Sequence, residues 1–372
     1  MKKIKTAHVI RVFSYGGAEV LLRECFAHPY FKENVASDLY ILDHKKLGLV
    51  EEAKPHVNSI RYYKISNWKF FIAYAKFLKH IIAGKYDVVH IHLPAAGWMT
   101  IPAKLFNRKT KFVYSEHNLV SFYAKYNYYL SGLAYGFFDC LIYVSHEVGE
   151  VVRRVQKGWF FKTKKAVTIP NGINTDKFTN VHRCYNDVNH NFTVGLLARF
   201  RPQKRVDRWA EVAAEVHKMN PNIKFLMVGN GPDDEMLRAR IKCLNMEGKI
   251  ELPGMLSDTT SAFKRINIFL LTSDFEGLPL AIIEAMSAGC VPVAGNVGGI
   301  KQLPFDGFGY KFDDFNATAI AKVIAAYAND PEKFKTESLQ ARNFIECNYS
   351  LTKQVHEIVA LYKALNAEVN LV

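Results

Sequence analysis

The chain has 372 residues, of which 49% are hydrophobic, and carries a formal net charge of +14. That length suits two domains with buried cores, and the cationic balance favours acidic partners such as nucleic acid, anionic lipid or a phosphorylated substrate. The six cysteines are scattered with no CxxC pair, which argues against a zinc ribbon or disulfide framework and for a reducing compartment. No run of about 20 apolar residues is available to cross a bilayer, and Met1 to Thr6 leads into a short strand, not a signal peptide.

Strand patterns alternate with helical ones along the whole chain. His8 to Val12 reads as a first strand, followed by a Gly16-Gly17 turn and a helix over Ala18 to Ala27. Ser37 to Leu42 is a second strand, and Trp68, Phe71, Ile72, Ala75, Leu78 and Ile82 then recur at helical spacing. Asp87 to His92, Lys111 to Ser115, Leu141 to Val144 and Ala166 to Ile169 are further strands, with Tyr128 to Val144 reading as a buried helix that runs into one of them. A polar stretch from Asn174 to Asn191 is the candidate linker. A second series follows: Phe192 to Leu197, Lys224 to Val228, Ile250 to Leu252, Ile266 to Leu271 and Val291 to Ala294. The last 25 residues pattern as one amphipathic helix with Val355, Ile358, Val359, Leu361 and Tyr362 on one side. The fold class expected is α/β, with two Rossmann-like βαβ domains facing a central cleft at the carboxyl edges of their sheets.

The stretch from Ser273 to Met286 carries the most information. A strand ends there, Gly277 supplies a tight turn, and Pro279 suits the first turn of a helix. Glu276 falls in the turn and Glu284 about one and a half turns into the helix. The amides of Gly277, Leu278 and Leu280 lie between them and suit a phosphate. Carboxylates flanking a phosphate site fit a ligand with hydroxyls at both ends, as in a nucleotide-sugar. Past the first strand of the second series come Arg199, Arg201, Lys204 and Arg205, able to grip phosphate oxygens. Tyr15-Gly16-Gly17-Ala18-Glu19 follows the first strand but is not a full GxGxxG, so dinucleotide binding is not supported. His117 ends a first-domain strand and can exchange a proton or bond a sugar hydroxyl. His90 and His92 share a strand face, but no third ligand is evident and no metal is expected. Asp233-Asp234 and Asp313-Asp314 are adjacent pairs expected to face solvent.

Taken in order, these motifs resemble glycosyltransferase family 4, the retaining, nucleotide-sugar-dependent enzymes of the GT-B fold with a group 1 domain. The resemblance rests on Gly16-Gly17-Ala18-Glu19, Glu116-His117, Ile169-Pro170-Asn171-Gly172-Ile173, Arg199 with Lys204, Gly229-Asn230-Gly231-Pro232, the Glu276 to Glu284 block and Gly298-Gly299. It implies an acceptor domain over 1–180, a donor domain over 181–345 and a C-terminal helix over 346–372 that crosses back to the first domain. Arg199 and Lys204 would bind the donor diphosphate, Glu284 the ribose hydroxyls and Glu276 the donor sugar. Gly277, Leu278 and Leu280 would add amide contacts, and Gly254-Met255 would meet the base. Gly16 and Gly17 would let the first domain's loop close on the donor, and His117 would contact the sugar and help position or protonate groups. The resemblance further implies no cofactor and no divalent metal, the nucleotide-sugar being a substrate. A UDP-sugar is favoured because such donors are common in the family, with GDP-mannose open.

Two departures stand out: Arg205 replaces a common glycine, loosening that loop, and Gln302 stands where an acid is frequent. The acceptor expected is a glycan or a lipid-linked molecule, as in bacterial surface polysaccharide or lipopolysaccharide assembly. Arg153, Arg154, Lys157, Lys162, Lys164 and Lys165 around Trp159-Phe160-Phe161, and Lys69, Lys76, Lys79 and His80, suit an anionic membrane surface. The location expected is the cytoplasm, peripheral on the inner face of the plasma membrane, and no RNA motif supports nucleic acid. A nucleotide-sugar epimerase and a non-catalytic basic binding protein are the competing readings.

Overall fold

The computed structural model describes residues 2–14, 16–43, 48–64, 70–107, 109–117, 125–157, 163, 165–178, 192–256 and 258–370. The chain divides into two compact units, Met1–Gly172 with Leu351–Val372, and Ile173–Ser350.

The first unit is built on seven strands: β1 (Ile4–Ile10), β2 (Val35–Ile41), β3 (Ser59–Tyr62), β4 (Val88–His92), β5 (Lys111–Glu116), β6 (Cys140–Tyr143) and β7 (Ala166–Thr168). All are parallel, in the order β3-β2-β1-β4-β5-β6-β7. A parallel sheet is covered on both faces, so its inner strands are apolar on both sides. Ile4, Ile10, Leu39, Val88 and Val113 face the helix Gly17–Ala27 and the terminal helix. Ala7, Val9, Tyr40, Val89, Ile91, Phe112 and Tyr114 face the opposite layer, which includes the helix Phe70–Ala83. The terminal helix spans Leu351–Asn370 and buries Val355, Ile358, Val359, Leu361 and Tyr362 in the first unit, as the spacing predicts.

The second unit holds β8 (Thr193–Leu197), β9 (Lys224–Val228), β10 (Ile250–Gly254), β11 (Ile268–Leu271), β12 (Val291–Gly295) and β13 (Tyr310–Phe312). They are parallel in the order β10-β9-β8-β11-β12-β13. The winding direction reverses between β8 and β11. In doubly wound sheets that reversal opens a crevice at the carboxyl ends of the two strands.

By internal contacts the two units join at 172/173 and 350/351, where the sequence reading draws 180/181 and 345/346. Ile173 donates its amide to Tyr349 (2.9 Å), and Ile173, Phe178 and Ile345 are buried in the second unit's core. Strands β3 and β13 lie outside the predicted set. Both are short edge strands, and an edge with one neighbour imposes a weak hydrophobic pattern. On the helix Phe70–Ala83 the buried side chains are Phe77 and Ile81, with Phe70, Tyr74, Leu78 and Ile82 packed beside them. Phe71 and Ile72 are instead 80% and 60% exposed; Trp68 and Lys69 lie outside the described residues. Pro279 is the residue before the helix Leu280–Ser287, not part of its first turn. Among the described residues no helix is long and apolar enough to cross a membrane.

Candidate active site

The residues expected to hold the donor gather at the carboxyl edge of the second unit's sheet. Arg199 follows β8, and Lys204 ends the short 3-10 turn Pro202–Lys204. Glu276 follows β11, Glu284 lies in the helix Leu280–Ser287, and Gly254 ends β10. Because β8 and β11 are neighbours at the reversal point, side chains 72 residues apart in sequence meet there. Lys204 Nζ donates to Glu276 Oε1 at 2.5 Å, and Ser273 Oγ donates to the same oxygen at 2.6 Å. Glu276 is 4% exposed. A carboxylate so enclosed needs its charge compensated, and the ammonium supplies that. Both bonds fall on Oε1; among the described residues Oε2 accepts none. Lys204, expected on the diphosphate, thus has one of its three N–H donors committed to Glu276.

The backbone around Glu276 is clamped by two glycines. Gly298 has φ +53°, and a Cβ there would lie 1.7 Å from the Glu276 carbonyl oxygen; at Gly299 it would lie 1.5 Å from the Gly277 oxygen. The Gly299 amide donates to the Glu276 carbonyl at 2.9 Å. The loop after β12 therefore holds the Glu276-Gly277 turn by direct backbone contact. The sequence motif gave the order of these glycines but not this role.

Arg205 overturns the expectation of a looser loop. It adopts φ +47° and ψ +52°, the left-handed conformation a glycine would take. Its guanidinium donates to Asp207 at 2.8 Å and lies 3.4 Å from Asp274, while Thr272 Oγ1 donates to its carbonyl at 2.9 Å. The Asp207 hydrogen bond, more than any other contact, raises the Arg205 pKa and lowers that of Asp207. We expect Arg205→Gly to stay near wild-type stability, because relief of about 1 kcal/mol of left-handed strain offsets the lost ion pairs. Arg205→Ala keeps the strain and loses the pairs, so its urea midpoint should fall below that of the glycine variant. Equal midpoints would contradict this.

The remaining donor residues differ in setting. Arg199 is exposed and makes no ion pair among the described residues. Glu284 is half-buried. Leu278 is buried, and Gly277 and Leu280 are half-buried. Gly254 has φ +79° with open space around it, its carbonyl accepts the Gly229 amide at 2.9 Å, and Met255 is 69% exposed. Asp234 pairs with Arg238 at 2.7 Å and Asp233 is half-buried, so the first acidic pair is less solvated than expected; Asp313 and Asp314 are exposed.

In the first unit, Gly16 precedes the helix Gly17–Ala27 with φ −112°, so its turn does not need a glycine. A Cβ there would lie 2.3 Å from the Glu19 carboxylate, the flexible end of a side chain that can move aside. Tyr15 and Asn118 lie outside the described residues. Glu116 is fully buried and accepts from Tyr135 (2.6 Å) and Tyr114 (3.2 Å), which makes it a structural member of the pair with His117.

His117 ends a chain of imidazoles. Register pairs His8 of β1 with His90 of β4, and places His92 two residues on. His8 Nδ1 lies 3.3 Å from His92 Nε2, and His92 Nδ1 lies 3.5 Å from His117 Nε2. His90 reaches Tyr362 Oη at 2.5 Å through Nδ1 and Ser115 Oγ at 2.7 Å through Nε2. The sequence reading found no third partner for His90 and His92, and the fold supplies His8. Desolvation lowers the pKa of His117 to about 4. Burial, then mutual repulsion, holds His8, His90 and His92 well below the usual range. His117 is thus neutral at pH 7, a hydrogen-bonding partner rather than a cationic acid. Folded pKa values below the unfolded one mean that, as pH falls through about 6.5, the unfolded chain takes up protons first. Stability is complete above that pH and is lost below it, by up to about 1.4 kcal/mol per pH unit for each ring. Urea midpoints at pH 7.5 and 5.5 test this: a fall is expected, and no change contradicts it.

Comparison with known proteins defines the class. Residues 15–177 match the family described as Glycosyltransferase Family 4, and residues 182–344 match Glycosyl transferases group 1. The protein is similar to the Escherichia coli UDP-Gal:alpha-D-GlcNAc-diphosphoundecaprenol alpha-1,3-galactosyltransferase, at 27% identity over 318 residues covering 80% of each chain. It is also similar to the E. coli O-antigen biosynthesis glycosyltransferase WclY, at 23% identity over 64% of this chain and 69% of that one. In structure it resembles Anabaena Alr3699/HepE, solved in complex with UDP-glucose, with TM-score 0.82 and 18% identity over 97% of this chain and 100% of the other. The fold is that of the GT-B glycosyltransferases. The chain belongs to the group 1, family 4 glycosyltransferases.

Proposed function

We propose that the protein is a retaining glycosyltransferase that moves a sugar from a UDP-sugar to a glycan or lipid-linked acceptor in bacterial surface polysaccharide or lipopolysaccharide assembly. The observation that carries this reading is Glu276: buried, compensated on Oε1 by Lys204, and with Oε2 open to a sugar hydroxyl. Names of relatives support the chemistry class. One is a galactosyltransferase acting from UDP-Gal on a diphosphoundecaprenol-linked sugar. HepE was solved with UDP and glucose. Family membership favours transfer over epimerisation or non-catalytic binding.

Breaking the anomeric C–O bond builds negative charge on the departing diphosphate and positive charge on the sugar. Arg199, the two uncommitted N–H donors of Lys204 and the amides of Gly277, Leu278 and Leu280 stabilise the diphosphate, so no divalent metal is needed there. Glu276 positions the sugar. Retention proceeds by attack on the departing face, with the donor phosphate taking the acceptor's proton. His117, neutral at physiological pH, bonds a sugar hydroxyl. Gly254 and Met255 take the base, and Glu284 accepts from the ribose hydroxyls. Losing charged hydrogen bonds costs about 1.5–3 kcal/mol. Glu284→Ala is therefore expected to weaken UDP binding by about tenfold to a hundredfold in calorimetry; an unchanged Kd would refute the donor-site assignment.

The exposed Phe71 and Ile72, with exposed Lys76 and Lys79 on the same helix, support peripheral attachment to an anionic membrane. Arg153 of the second basic cluster is engaged by Glu150 at 2.6 Å, and Trp159, Phe160, Phe161, Lys162 and Lys164 lie outside the described residues. Sedimentation with phosphatidylglycerol vesicles should deplete the protein from the supernatant at low salt; full recovery there would remove the idea.

A further inference from the structure

We propose that His8, His90 and His92 form a binding site for a single borderline transition-metal ion, of the Zn(II) or Co(II) type, inside the first unit. One ring nitrogen from each histidine lies within 4.8 Å of the others, and all three side chains are buried. A tetrahedral ion with metal–nitrogen bonds near 2.0–2.1 Å holds its ligand atoms about 3.4 Å apart. The His8 Nδ1 to His92 Nε2 separation of 3.3 Å already matches that edge; His90 gives up its bond to Tyr362 or to Ser115 to offer its nitrogen to the ion. Neutral imidazoles select zinc, cobalt, nickel or copper over magnesium or calcium.

A second observation is independent of those distances. The three rings line a cavity of about 30 Å³, together with Cys25, His117 and Tyr362, a volume suited to one small guest. His8 Nε2 is buried with no hydrogen-bond partner among the described residues, so the His8 ring is held only through Nδ1, the nitrogen offered to the ion. Cys25, a free buried thiol, also lies on the cavity wall but outside the group of three mutually close nitrogens.

Two of the three rings have outer partners that fit ligation; His8 has none on Nε2 among the described residues. A metal-bound imidazole keeps its other nitrogen in a hydrogen bond. His92 has His117 for that purpose, and His90 has Tyr362 or Ser115. An ion on His92 Nε2 fixes the proton on Nδ1, so His92 donates to His117 Nε2 and His117 carries its own proton on Nδ1. His92 is then a positioning residue for His117. The donor residues around Lys204 and Glu276 belong to the other unit, so this site is separate from any role in holding the diphosphate.

The test uses the untagged full chain produced in medium supplemented with Zn(II) or Co(II), desalted and analysed for metal. About one ion per chain is expected, with the visible absorption of near-tetrahedral cobalt. His8→Asn keeps a polar atom near Nδ1 while removing the imidazole, and should cut the metal content roughly tenfold or more. Thermal unfolding of the wild-type protein, run with Co(II) and with chelator, should show a higher Tm in the loaded form. Absence of bound metal in the wild-type chain, or undiminished metal in a folded His8→Asn variant, overturns the proposal. Neither result depends on whether the protein turns over a UDP-sugar.

Discussion

Replacing Lys204 with methionine is expected to lower donor turnover by about 10²- to 10³-fold, the cost of removing one preorganised stabiliser of developing charge. The same change strands the Glu276 carboxylate, which is 4% exposed and keeps only Ser273 on Oε1. Breaking a buried pair from one side costs about 3–5 kcal/mol, so the urea midpoint should fall as well. A double variant, Lys204→Met with Glu276→Gln, separates the two effects. It removes both charges together, so stability should recover to within about 1–2 kcal/mol of wild type. Turnover should stay low, because the cation for the diphosphate and the carboxylate for the sugar are both gone. Full recovery of turnover in the double variant would reduce the pair to a structural bridge.

Gly299→Ala is the second change with a large expected effect. Its Cβ would sit 1.5 Å from the Gly277 carbonyl oxygen, and backbone on both sides leaves no flexible side chain to yield. The loop after β12 must move, which frees the Glu276 carbonyl from the Gly299 amide. We expect destabilisation of about 3 kcal/mol or more and loss of measurable donor turnover. Gly254→Ala is the control. Unlike Gly299 it has a positive φ, but nothing lies within 4 Å of the added carbon, so only about 1–2 kcal/mol of left-handed strain applies. Equal stability losses in the two variants would mean the close approach at Gly299 is not what holds the turn.

The contrast between these residues shows where sequence reading succeeds. Inner strands such as β4 and β9 are legible because burial on both faces writes continuous apolar runs. The edge strands β3 and β13 carry no such run. Glu276, Gly277 and Glu284 are legible because one local strand-turn-helix passage contains them. The bond from Lys204 to Glu276 is not, since it joins positions 72 apart through the adjacency of β8 and β11. His8 and His92 stand 84 residues apart and meet through the pairing of β1 with β4. The order of a doubly wound sheet could have placed His8 beside His90, had the first series been laid out strand by strand. Arg205 misled for another reason: residue identity suggested a relaxed loop, while ion pairs hold the side-chain-bearing residue in a glycine conformation.

The central claim is that the second unit holds a nucleotide-sugar for transfer through Lys204 and Glu276. Its most direct test is to incubate the purified protein with a panel of UDP- and GDP-sugars and follow nucleoside diphosphate release by mass spectrometry, beside the Lys204→Met, Glu276→Gln double variant. The account predicts release from at least one UDP-sugar by the wild-type protein, and loss of that release in the folded variant. Release from no nucleotide-sugar, or equal release by the double variant, would contradict it.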